Sequence, residues 1–94
     1  MQIKFVKNIQ FTRLIKADGR LREFNFRKMV QLQETLFSID VVDDRGNRVM
    51  FRMRKQDNDW SIIPQPLPAW VQSQEKVLSD MIVEELNIQT YPVI

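Results

Sequence analysis

The residues whose type and spacing point most directly to binding chemistry are arginines. Arg48, Arg52 and Arg54 occupy even positions of one short segment, and Arg27 lies in an earlier segment of similar character. Side chains at alternate positions of a β-strand project from the same face of a sheet. A set of guanidinium groups on one face can bind phosphate oxygens, so these four arginines are a candidate nucleic-acid-binding surface.

The same arginines also fit a face that is only solvated and carries ion pairs between strands. Parity assigns Asp40 and Glu23 to this face, where they would pair with Arg52, Arg48 or Arg22, as opposite charges on neighbouring strands commonly do. We can place no aromatic residue there to stack on bases. We therefore favour the solvated face, and binding of single-stranded nucleic acid is the alternative.

Metal binding and catalysis find little support in the residue types. The acidic clusters at 43–44 and 57–59 do not have the spacing of a calcium loop, and Asp and Asn are common turn residues. The sequence contains no His and no Cys, which excludes thiolate and imidazole catalysis, disulfides and the usual zinc or haem ligands. We expect no enzyme activity, no cofactor and no metal site.

The elements that position these residues follow from apolar periodicity. Alternation of polar and apolar residues predicts an antiparallel meander of five strands, at about residues 3–16, 20–29, 35–43, 47–55 and 59–63. Asp18-Gly19 is typical of a two-residue type I′ hairpin, and the resulting register sets Phe11 opposite Phe26. A three-residue loop ending at Gly46 joins the third and fourth strands, which sets Val41 opposite Val49. Residues 30–34 are compatible with a bulge, a turn or continued strand.

The period of the apolar residues changes near Pro68. From there Val71, Leu78 and Ile82 recur at helical spacing, which predicts one helix over about residues 68–87. The proline-rich run before it is interpreted as a rigid connector. The predicted fold class is α+β: five antiparallel strands with one C-terminal helix across their concave face, in a single domain spanning residues 1–94.

Charge and hydropathy are unevenly distributed along the chain. Residues 1–55 hold thirteen Lys and Arg against six Asp and Glu, whereas residues 56–94 hold one Lys against six acids. This asymmetry suggests a surface for an anionic partner or two sections that offset each other. The segment 88–94 is apolar, so we expect it to contact a sheet edge or another subunit through the following residues: Ile88, Tyr91, Val93 and Ile94.

The sequence favours a small non-catalytic domain that binds a protein partner or forms a homodimer. The open sheet face, a sheet edge and the apolar segment 88–94 are the candidate contact surfaces. A third hypothesis is a carrier of a small apolar ligand, with a pocket near Trp60 and Trp70 between helix and sheet. No stretch approaches a membrane span or the apolar block of a signal peptide, so we expect a cytoplasmic location and no membrane contact.

Overall fold

The computed structural model describes residues 9–90, with the side chains of residues 89 and 90 left out. The five strands form one antiparallel sheet in chain order, and the sheet is curled into a half-barrel with the C-terminal helical segment beside it. The elements are β1 (Gln10–Ala17), β2 (Arg20–Gln31), β3 (Glu34–Val42), β4 (Arg48–Gln56), β5 (Asp59–Ile62), α1 (Ala69–Gln72) and α2 (Glu75–Thr90). The predicted fold class is confirmed; the part of the first predicted strand before residue 9 lies outside the described residues.

Two hairpins have the register and turn chemistry that the sequence predicts. Phe11 lies opposite Phe26, and their rings stack with centroids 4.4 Å apart. Asp18 and Gly19 both have positive φ, as a type I′ turn requires. In the β3–β4 loop Gly46 has φ +83°, the left-handed conformation that a glycine adopts without strain.

The β3–β4 loop is closed by the side chain of Asp43. Its carboxylate accepts hydrogen bonds from the backbone N–H groups of Arg45 at 2.9 Å and Asn47 at 2.8 Å. The Asn47 backbone bond is the main reason that the pKa of Asp43 is lowered. The acidic residues at 43–44 therefore include a turn-forming carboxylate, as the sequence predicts.

The ambiguous segment 30–34 contains a tight turn. Gln31 pairs with Glu34, and the two residues between them, Leu32 and Gln33, have φ of +50° and +63°. Neither is a glycine or an asparagine, so the turn costs about 1–2 kcal/mol per residue in backbone strain. The turn was not predictable because its residues lack the usual type I′ signal.

The core lies between the concave face of the sheet and the helices. Aromatic rings from β2 and β3 and aliphatic side chains from the helices fill this space, and the fully buried members include Phe24, Phe37, Val71, Leu78 and Ile82. Burying each of these side chains contributes roughly 1.5–3 kcal/mol. The helix stripe predicted from periodicity therefore faces the sheet.

The helical segment predicted over 68–87 is present, and the structure divides it into two helices, α1 and α2. The Ser73 hydroxyl donates to the Trp70 carbonyl at 3.2 Å, and the Gln74 N–H turns instead to the Val71 carbonyl at 3.0 Å. A serine side chain that binds a nearby carbonyl competes with the helical hydrogen bond. The second helix also runs on to Thr90, so Ile88 lies in α2 rather than in a separate tail.

Candidate interaction surfaces

The convex face of the sheet carries the four predicted arginines, but it does not gather them at one place. Arg27 and Arg48 line the same open groove of about 470 Å³, with the Asp40 side chain between their strands. Arg52 lines a second groove of about 400 Å³ beside Pro64. Three of the arginines thus line two shallow grooves and Arg54 lines neither, although register sets Arg27 and Arg52 on either side of Ser38 in one row.

The partners of these arginines differ. Arg54 forms an ion pair with Glu34 at 3.4 Å. Arg52 donates to the neutral side chain of Gln31 at 3.2 Å. Among the residues that the structure describes, none of Arg27, Arg48 and Arg52 has an ion pair, although Asp40 lines the groove of the first two.

The predicted pairing of Asp40 and Glu23 with arginines is not what the structure shows. Asp40 accepts a hydrogen bond from the Asn25 amide at 3.0 Å, and Asn25 accepts one from the Thr12 hydroxyl at 2.8 Å. This chain of neutral donors crosses three strands. Glu23 forms no ion pair within residues 9–90. The convex face is solvated, but ion pairs are not its main cross-strand contacts.

Exposed aliphatic side chains share this convex face with the arginines. Leu14 and Leu21 are each 65% exposed, Val42 is 50% exposed and Met50 is 58% exposed. Leu14 and Leu21 are diagonal neighbours, because Leu14 pairs with Glu23 and Lys16 pairs with Leu21. The most exposed of these four side chains thus lie on β1 and β2, at one margin of the sheet.

The opposite margin of the sheet, at β5, is closed by α2. The Ile63 N–H donates to the Arg52 carbonyl, so odd-numbered residues of β5 form the hydrogen-bonded pairs with β4. The N–H groups of Trp60 and Ile62 therefore point away from β4. The Trp60 N–H donates to the Ser79 hydroxyl and the Ile62 N–H donates to a Glu75 carboxylate oxygen, each at 2.9 Å. Helix side chains thus satisfy both outward donors of this strand.

The β1 margin has no such cover among the residues that the structure describes. The Lys28 N–H donates to the Ile9 carbonyl at 2.9 Å, so the odd-numbered residues of β1 form the hydrogen-bonded pairs with β2. The backbone groups that point outward belong to the even-numbered residues. These residues are Gln10, Thr12, Leu14 and Lys16. Within residues 9–90, none of their outward N–H and C=O groups donates or accepts a hydrogen bond.

Among the described residues, the hydrogen bonds and ion pairs between α2 and β1 all involve the side chain of Arg13. Arg13 pairs with Glu84 at 3.2 Å and with Glu85 at 2.9 Å. The bond to Glu85 is the main reason that the pKa of Arg13 is raised. These contacts join the concave face of β1 to α2 and leave its outward backbone groups unpaired.

The predicted pairing of Arg22 with Asp40 or Glu23 on the convex face is wrong, because the structure buries Arg22 on the other face of the sheet. Arg22 lies on the concave side, with its side chain 5% exposed and its guanidinium 4.5 Å from the Trp70 ring centroid. It donates to the Ala17 carbonyl at 2.9 Å and pairs with Asp44 at 3.0 Å. Its bond is the main reason that the pKa of Asp44 is lowered. Arg22 therefore joins the β1–β2 hairpin to the β3–β4 loop and to α1.

The remaining predicted residues divide between core and helix surface. Trp60 packs edge-on against Phe37 at 5.0 Å, in the core. Ile88 is 53% exposed on α2. The predicted contact residues Tyr91, Val93 and Ile94 lie outside the described residues. The four grooves found on the described surface are open to solvent, so none is the enclosed apolar cavity that a ligand carrier requires.

Comparison with known proteins gives this chain no family. No family model matches it, and neither a curated protein nor a solved structure is similar to it. Within residues 9–90 no helix is long and apolar enough to cross a membrane, and no group of three or more acidic residues is placed to hold a metal ion. Inference about function therefore depends on the two surfaces just described, the convex face and the β1 margin.

Proposed function

We propose that this domain is a protein-interaction module that binds an extended strand along the margin of β1. The observation that carries the proposal is the unsatisfied row of outward backbone groups on Gln10, Thr12, Leu14 and Lys16. A regular strand with such a row pairs readily with another extended chain. Main-chain hydrogen bonds supply the binding energy and the neighbouring side chains supply selectivity.

The strand has few of the devices by which proteins protect sheet edges, since its charged residues are Arg13, on the concave face, and Lys16. Its register with β2 is unbroken over Gln10–Ala17, so it contains no bulge, and it contains no proline. Lys16 is its only lysine and lies next to one end. Thr12, Leu14 and Ile15 are residues that suit a binding strand, and Leu14 offers an exposed apolar contact beside it.

The proposal is tested by selecting displayed, extended peptides of random sequence against the immobilised domain. We expect enriched peptides to lose binding to Leu14→Pro, which removes one outward N–H, and to keep binding to Leu14→Ala, which retains it. Thermal unfolding of both variants checks that they fold. If no peptide is enriched, or if the enriched peptides bind Leu14→Pro as well as the wild type, the proposal is wrong.

A second candidate function, binding of single-stranded nucleic acid, is favoured by Arg27, Arg48 and Arg52, none of which has an ion pair within residues 9–90. Because phosphate contacts release counterions, binding of a labelled oligothymidylate should weaken steeply as salt rises. It should also be lost when Arg48→Glu and Arg52→Glu are combined. Absence of binding at low salt would reject this candidate. It ranks second because, within residues 9–90, the convex face offers no exposed aromatic ring for stacking.

A further inference from the structure

We infer that the extended strand that binds at β1 is the β1 strand of a second copy of this chain, which would join two sheets into one. This inference rests on the proposed function and names its partner. Closed two-fold pairing is the commonest form of homo-oligomer, and it requires a surface that is complementary to itself. The β1 margin meets that requirement in its backbone, its side chains and its charges.

The backbone fits a two-fold axis through Arg13. About this axis Thr12 of one copy lies opposite Leu14 of the other, and Gln10 lies opposite Lys16. All four are residues whose N–H and C=O groups point outward, so each opposed pair exchanges two hydrogen bonds. This register satisfies every outward group of the described strand. Shifting it by two residues leaves some of them unpaired.

The side chains on the convex face also fit this register. Leu14 of the two copies become diagonal neighbours across the junction, and each already has Leu21 of its own chain as a diagonal neighbour on the other side. Four leucines that are each 65% exposed in the single chain would then pack together. Pairing of β1 strands therefore accounts for exposed apolar side chains that the single chain leaves in water.

The charges on the strand are compatible with the same axis. Lys16 faces the neutral side chain of Gln10, so no like charges meet on the convex face. On the concave face Arg13 would meet Arg13 of the other copy, but each is paired with Glu84 and Glu85 of its own α2. These carboxylates neutralise the arginine pair on the axis, where two isolated arginines would repel each other.

The first test is the mass of the protein in solution. Light scattering over about 1–500 µM should show a rise toward twice 11.3 kDa. Leu14→Lys should weaken this association by about tenfold or more, because two ammonium groups would meet at the junction. Val42→Lys, which adds the same charge to the same face away from β1, should change it by less than about twofold.

The second test fixes the register by cross-linking, which is direct because the chain has no native cysteine. Arg13→Cys places two thiols opposite each other at the axis, within disulfide reach, whereas Lys16→Cys places them several residues apart. We expect a disulfide-linked dimer from the first variant under mild oxidation and none from the second. Equal cross-linking, or cross-linking of Lys16→Cys alone, would overturn this register.

The two proposals fail in different ways. A wild-type protein that stays at 11.3 kDa across the concentration range would overturn the second copy as the partner. Peptide selection would then still decide whether the β1 margin binds an extended strand from a different protein. If Val42→Lys dissociates the protein as strongly as Leu14→Lys, the dimer uses another part of the convex face and the β1 pairing is wrong.

Discussion

The two margins of this sheet leave the same kind of backbone group in different situations. At β5, the outward N–H groups of Trp60 and Ile62 are bound by Ser79 and Glu75 of α2. At β1, four residues present outward groups that no described residue binds. Helix α2 binds the outward backbone groups of β5, whereas its polar contacts with β1 among the described residues go to the Arg13 side chain and not to the outward backbone groups.

The two margins therefore have different roles: contacts at β5 stabilise the fold, whereas the outward groups at β1 are available for binding. At β5 the helix buries aromatic surface and satisfies backbone donors, so changes there should unfold the protein. At β1 the outward groups contribute nothing to the described fold, so changes there should leave folding almost intact and alter only association.

The largest effect is expected from Trp60→Ala at the closed margin. Trp60 is buried, and its ring packs edge-on against Phe37 with centroids 5.0 Å apart. Removing a buried aromatic side chain leaves a cavity, so the free energy of unfolding should fall by about 3–5 kcal/mol in urea denaturation. A loss below about 1 kcal/mol would mean that β5 and α2 do not close the core as described.

A smaller loss is expected from Ser79→Ala. This change leaves the Trp60 N–H buried without an acceptor, which costs about 1–3 kcal/mol of unfolding free energy. Ser73→Ala is the matched control, because the hydroxyl of Ser73 is exposed and binds only a helix carbonyl. Thermal unfolding of the two variants should therefore differ clearly. Equal melting temperatures would show that the Ser79 hydroxyl does not close the β5 margin.

We expect acid to lower the stability of the fold through the ion pairs that Asp44 forms near the β1–β2 hairpin. Asp44 accepts from Arg22 and Arg20 at 3.0 Å each, and the Arg22 bond holds its pKa below the ordinary value of 3.8. A carboxyl whose pKa is lower in the folded state stabilises the fold above its unfolded pKa, and that contribution disappears as pH falls through the folded value.

The unfolding free energy should therefore decline as pH falls below the ordinary value of 3.8. Asp44→Asn should reduce this decline in unfolding free energy. The part that Asp43 contributes should remain, because the pKa of Asp43 is lowered as well. Urea unfolding at several values between about pH 5 and pH 2 measures the slope. An identical slope in both proteins would show that the Asp44 pairs do not stabilise the fold.

The smallest effect on folding is expected from Leu14→Lys at the open margin. The Leu14 side chain is 65% exposed, so the unfolding free energy of the dilute protein should change by about 0.5 kcal/mol or less. Denaturation at low protein concentration measures this value apart from association. A loss as large as that of Ser79→Ala would show that the β1 margin is part of the fold and not a vacant binding edge.

The sequence predicts the sheet well because period-two alternation and turn chemistry constrain the same registers. Phe11 opposite Phe26 follows from the Asp18-Gly19 turn, and Val41 opposite Val49 follows from Gly46. The convex placement of the arginines follows from parity alone. Each of these registers joins two strands that are consecutive in the chain, and the short turn between them fixes which residues pair.

The misses concern polar groups whose role depends on tertiary contacts. Ser79 and Glu75 belong by pattern to the exposed face of a helix, and only the approach of β5 shows that they bind its backbone. The prediction that Arg22 pairs with convex-face acids conflicts with its parity, which is that of Phe24. Its burial follows from the Ala17 carbonyl and Asp44, which only the tertiary fold brings together. The identity of the open margin depends in the same way on where α2 lies.

Amide hydrogen exchange at single-residue resolution tests the central contrast most directly. In dilute protein the N–H groups of Trp60 and Ile62 should exchange slowly, because the helix binds them, whereas those of Thr12 and Leu14 should exchange rapidly. At high protein concentration Thr12 and Leu14 should become protected while Trp60 and Ile62 do not change. Slow exchange of Thr12 and Leu14 in dilute protein, or rapid exchange at every concentration, would contradict the account.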